Sequence, residues 1–157
     1  MIPSRIIPFV LLACTFMNDC AKKTDDEEFR ARFLAEVNNL RSQGCFCGED
    51  SLPPVQPVRW DDALEAASTR HVEDMAAADI FSHIGTDGST PPRRALEAGF
   101  EGAYIGENIA RGYITIADVM KQWKNSESHC KTMMDGHFNF MAVAYEEYYW
   151  VQMFGSD

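Results

Sequence analysis

Apolar positions recur three and four residues apart near the start of the chain. Phe29, Phe33, Val37 and Leu40 keep that spacing, Leu34 widens the stripe, and together they predict an amphipathic helix. Thr24 is placed to cap it, Asp25, Asp26, Glu27 and Glu28 put negative charge on its first turn, and Gly44 is a natural stop. "GCFCGEDSLPPVQPV" has no regular period and predicts a proline-rich connection. "WDDALEAASTRHVEDMAAADI" predicts a second helix capped by Asp61, with Leu64, Ala67, His71 and Met75 on one face. His71 therefore reads as a packed, hydrogen-bonded core histidine. "IGTDGSTPPRRALEAG" reads as a turn at Asp87-Gly88 and a short helix, with Thr90 as cap, Pro91 at the first position and Gly99 as stop. "FEGAYIGENIARGYI" is punctuated by glycine and predicts a loop with a short extended piece. Thr115 opens another helix with Asp118 completing a shortened capping box, and Ile116, Val119, Met120 and Trp123 form its inner face. "FNFMAVAYEEYYWVQMFG" holds two β-rich runs around Glu146-Glu147, a hairpin of core strands. Helices first and strands last favour the α+β class.

Composition narrows the function classes. The 157 residues suit one domain, and an apolar fraction of 46% is ordinary for a globular chain. The net charge of −10 argues against nucleic acid and against direct attraction to anionic lipid. "MIPSRIIPFVLLACTFM" sets Arg5 before an apolar run, residues 6–13, that is too short for a membrane span and has the size of a signal-peptide core. Its closing "LLAC" resembles a bacterial lipobox, with Cys14 as the lipidated residue. Cys20 is the rival, disfavoured by Asp19 before it, and a plain cleaved signal peptide is the other reading. The expected organisation is an export segment over 1–20, a polar tether over 21–27 and one domain over 28–157. A membrane partner is expected through the lipid anchor.

Five cysteines fit an exported protein. Cys45 and Cys47 stand too close along the chain to bond readily to each other, so Cys130 is expected to pair with one of them, leaving an odd thiol. A zinc site on C-x-C plus Cys130 is a minor alternative. Elsewhere, His83, Glu107 and His129 stand in turn-like contexts suited to fixing one side chain. Two imidazoles and a carboxylate match some catalytic zinc sites, although no H-E-x-x-H helix is present. Ser82 adjoins His83, but no nucleophile triad is legible.

"FSHIGTDG", "GENIARGY", "WKNSESHCKTMM" and "YYWVQMFG" together closely resemble bacterial members of the CAP superfamily, also called SCP-like: cysteine-rich secretory proteins, antigen 5 and pathogenesis-related proteins. The resemblance runs over residues 29–155. It implies a three-layer α-β-α sandwich with a surface cavity lined by two histidines and two glutamates, which in some members hold a divalent cation such as zinc. Carried over by motif, these are His83, Glu107 and His129, where relatives usually read S-x-G-H for this chain's "SESH". Glu127 is the nearest position for the second glutamate, and His137 of "GHF" is set aside in favour of His129. "GCFCG" with "SHC" looks like a subgroup in which these cysteines form a bridge. The expected function is an exported, lipid-anchored binding module of the bacterial cell envelope or exterior. Its cavity would take a divalent cation, zinc first, or a small or lipidic ligand. A metal-assisted envelope hydrolase with Glu107 as general base is the alternative, and a disulfide-stapled domain acting by protein contact alone is the third reading.

Overall fold

The structure, a computed structural model, describes the backbone of residues 13–157 and side chains from Asp25 onward. Residues 6–12 of the apolar run and the side chains of Cys14 and Cys20, on which the expected lipid anchor rests, lie outside the described residues, while residues 13–20 of the expected export segment and the expected tether over 21–27 are backbone of one helix. Among the described residues no helix is long and apolar enough to cross a membrane.

Helix α1 spans Ala13–Gln43 and meets its expected end at Gly44. It begins earlier than predicted. Thr24 lies within it, because no glycine or proline interrupts the chain from Ala13 to Thr24. A small antiparallel hairpin follows, β1 (Cys45–Cys47) and β2 (Asp50–Leu52). Then come β3 (Arg59–Trp60), α2 (Asp62–Ala78), α3 (Pro91–Glu97), β4 (Ile105–Arg111), α4 (Ile116–Asn125), α5 (Glu127–Met133), β5 (Phe140–Glu146) and β6 (Tyr149–Gly155). The predicted caps are in place: Asp61 accepts from the Leu64 amide, Thr90 from Arg93 and Thr115 from Asp118.

The main sheet has the order β3-β5-β6-β4. β5 and β6 form the expected hairpin, but its turn residues are Glu147 and Tyr148, one position later than predicted. The pairing register fixes this, since Glu146 lies opposite Tyr149. The segment read as mostly loop is a full strand: β4 pairs with β6 along its whole length, from Ile105↔Gly155 to Arg111↔Tyr149. β6 is thus central, and all seven of its residues are buried.

Period-2 alternation sends side chains from these strands into two cores. Met141, Val143, Trp150 and Phe154 join Phe33, Val37, Val119, Trp123 and Met133, from α1, α4 and α5. Ala142, Ala144, Val151 and Met153 join Leu64, Ala67, Met75 and Ala95, from α2 and α3. The molecule is an α+β sandwich of helices, sheet and helices. A strand buried on both faces reads as a continuous apolar run, which is why "YYWVQMF" carries so little polar punctuation.

Arg41 fastens the first layer to the chain's later loops. It is fully buried, and its guanidinium donates to the carbonyls of Gln56, Met133, Asp135 and Phe138 at 2.7–3.0 Å. Burial pushes its pKa down, against the pull of Asp135.

Candidate functional site

β4 is an edge strand of the main sheet, opposite β3, and helices of both layers, α3 on one side and α4 and α5 on the other, pack against it. Alternation turns Glu107 and Ile109 towards the α2–α3 layer and Asn108 and Ala110 towards α4 and α5. The site is built on that edge.

The loop carrying His83 is pinned from beneath by α2. His71 is fully buried, and its Nε2 lies 2.8 Å from the Ser82 carbonyl, the packed role its apolar face predicts. Asp74 accepts from the Thr86 amide at 2.8 Å, and Arg70 pairs with Asp87 and Glu97. Hydrogen bonds from Ser89 and then the Arg70 pairing hold the Asp87 carboxyl well below the usual range. Arg94 of α3 completes the fastening, donating to the Ser89 carbonyl at 2.8 Å and the His83 carbonyl at 3.2 Å.

Glu107 joins these parts. One carboxylate oxygen accepts from Arg94 at 2.6 Å, and both side chains are almost fully buried. The other lies 2.7 Å from His83 Nδ1. The His83 side chain is 51% exposed against 2% for Glu107, so the carboxylate holds the ring from below and Nε2 is the nitrogen left for a ligand. Exposed Phe81 and Ile84 flank it. Ser82 is committed to the turn: its hydroxyl accepts from the Ile84 amide and its carbonyl from His71.

His129 arrives from the other layer, on α5. Buried Asn108 donates to its carbonyl at 3.2 Å and to Gln152 Oε1 at 2.9 Å, which ties α5 to the sheet edge. Its Nδ1 is enclosed without a hydrogen-bond partner. Burial lowers its pKa first, and the nearby His83 lowers it further. Both causes favour the neutral imidazole, which is the metal-binding form.

The fourth predicted residue goes elsewhere. Glu127 pairs with Lys131 at 2.6 Å, and Lys131 also reaches Asp50 on the small hairpin. Its side chain lies against Gly48. His137 is mostly exposed and pairs with Asp135. Sequence reasoning missed Arg94, Asn108 and Gln152. Arg94 carried no usable signal, because its neighbour Leu96 is exposed while the arginine is buried.

Cys130 bonds to Cys47, with Cα atoms 5.4 Å apart, and Cys45 is the free thiol. The three sulfurs lie within 4.8 Å of one another, the one such group of three or more potential metal donors among the described residues. His83, Glu107 and His129 do not form so tight a set. Glu107 already has both oxygens engaged, so the two imidazoles are the donors left for a cation.

Residues 34–154 match the model of the cysteine-rich secretory protein family, CAP. An uncharacterised protein of Bacillus subtilis (strain 168), YkwD, is 30% identical over 102 residues, which are 64% of this chain and 40% of that protein. An uncharacterised membrane protein of the same organism, YlbC, is 28% identical over 97 residues, 62% of this chain and 28% of that one. The chain thus spans well under half the length of these relatives. An extracellular protein containing a SCP domain from Bacillus anthracis superimposes with a TM-score of 0.72 at 22% identity, over 82% of this chain and 40% of that one. An outer surface protein from Borrelia burgdorferi gives 0.66 at 20% identity, over 78% and 88%.

Proposed function

Since the chain belongs to the cysteine-rich secretory protein (CAP) family, we propose that it is an exported surface protein whose sheet-edge site binds a divalent cation or a small ligand through His83 and His129. Its structural relatives include an extracellular and an outer surface protein, which supports the placement. The "LLAC" motif supports anchorage by a lipid on Cys14.

One observation carries the reading: Arg94, Glu107 and His83 form a directed chain that ends in an exposed imidazole nitrogen. A buried ion pair of this kind is weak evidence for stability. Its stronger use is to fix the direction of the ring above it, as carboxylates do behind metal-ligating histidines. Two neutral imidazoles would hold zinc with positions left to water or ligand, an open site. Bound there, zinc would act as a Lewis acid. Flanking Phe81 and Ile84 favour a ligand with an apolar part. The hydrolase alternative asks Glu107 to take a proton, yet both its oxygens are engaged and Ser82 is committed to the loop. Binding is therefore the better-supported role.

The test is zinc titration of the purified oxidised chain by calorimetry. His83→Ala and His129→Ala should each abolish binding, and Glu107→Gln should weaken it by about 10–100-fold. Equal zinc binding by all four proteins, or none by the parent, would overturn the cation reading.

A further inference from the structure

The C-x-C segment is a strand, and that decides where its sulfurs go. In β1 the side chains of Cys45 and Cys47 share a face, with Phe46 turned outward and exposed. α5 presents Cys130 to that same face. Cys45 Sγ lies 3.7 Å from Cys47 Sγ and 3.6 Å from Cys130 Sγ. Cys47 and Cys130 are fully buried, whereas Cys45 is partly open to solvent.

Two chemistries are available to a third sulfur beside a disulfide. Thiol–disulfide exchange needs a thiolate in line with the bond it breaks. Cys45 is nearly equidistant from both bridged sulfurs, so it sits beside the bond instead. A metal makes the opposite demand. Zinc with Zn–S bonds of about 2.3 Å in a tetrahedron spaces its sulfurs about 3.8 Å apart. Two of the three required edges are already near that length.

We propose that Cys45, Cys47 and Cys130 form a second, redox-gated metal site, which takes zinc or another thiophilic divalent cation once the bridge is reduced. Opening needs a two-electron reductant, either a dithiol or a phosphine with water, which ends as the phosphine oxide. A dithiol gives two electrons and two protons, the S–S bond breaks, Cys47 and Cys130 become thiols, and the dithiol closes to its own disulfide. Zinc then displaces three protons, one from each thiol. The fourth position is left to solvent on the open side, by Cys45. Three thiolates and one divalent cation carry a single negative charge. Burial pushes the Cys45 thiol up, and the charge of Lys124 acts against it and is placed to offset part of the added charge.

The site is separate from the histidine site and is tested separately. The full chain is prepared in a Cys14→Ser, Cys20→Ser background, so that three cysteines remain. Oxidised and phosphine-reduced samples are titrated with cadmium, and the thiolate-to-metal charge-transfer absorption is read. Near-ultraviolet circular dichroism checks the fold of each sample. The reduced protein should gain one equivalent over the oxidised one. Cys45→Ser, which keeps the bridge and folds oxidised, should bind at least tenfold more weakly after reduction. A folded reduced protein with no added equivalent would overturn the proposal, as would Cys45→Ser binding like the parent. The double variant His83→Ala, His129→Ala should keep the added equivalent; its loss would assign that metal to the histidines and sink the thiol site.

Discussion

Arg41 and Arg94 do at the scale of single residues what no apolar side chain can. Each is buried to within about 1% and turns a charged group into a set of directed bonds. Arg41 satisfies carbonyls in a segment that has no strand to pair with, between β2 and β3 and again before β5. Replacing it by methionine keeps the volume and strands those acceptors. Arg41→Met should destabilise the protein by about 3–5 kcal/mol, read as a lower midpoint in urea with an unchanged slope. Neither arginine stood out in the sequence. "NNLRSQG" and "PPRRALEAG" look like solvated helix ends, and the partners of Arg41 in the latter half of the chain lie far along it. His83, Glu107 and His129 were singled out because each sits in a recognisable motif. That Glu107 spends both oxygens on Arg94 and His83 was not legible, since it depends on the helical phase of α3.

Local chemistry predicted helices better than strands among the elements. Asp61, Thr90 and Thr115 cap bonds that close within three residues, so the information is all nearby. β4 is the counter-example. Its partner β6 comes later in the chain, and its own residues, "IGENIAR", do not alternate apolar with polar. Glu107 and Asn108 interrupt the pattern because they serve the site and its neighbour α5. Gly106 interrupts it for a steric reason. A Cβ there would stand 2.6 Å from Phe138 Cζ and 3.1 Å from Thr132 Cγ2, where α5 and the loop after it close over the strand. Gly106→Ala should therefore cost about 1–3 kcal/mol by overpacking. It should also shift the amide resonances of Asn108 and His129 in a spectrum of the folded protein. A variant as stable as the parent, with those resonances unmoved, would show that the layer gives way freely.

The protein as a whole should be acid-sensitive through its buried imidazoles. Burial lowers the pKa of His71 first, with Arg94 adding to it against Glu107, and burial likewise lowers that of His129. In each case the folded value lies below the unfolded one, about 6.5. The unfolded chain therefore takes up protons first as pH falls, and stability declines from about pH 6.5 down to the folded values. Urea midpoints measured from pH 8 to pH 5 should fall across that window, and a flat profile would contradict it. The three-layer architecture itself was readable through family motifs spread over most of the chain. Position within the sheet was not, and it has a consequence for assembly. Everything that β4 pairs with belongs to β6, the last of the described elements. A chain that has reached residue 148 has a β4 with no hydrogen-bonding neighbour and two half-cores whose shared wall holds β5 but lacks its central strand. Closing the sheet waits for β6, a seven-residue strand that enters at the middle, between β5 and β4.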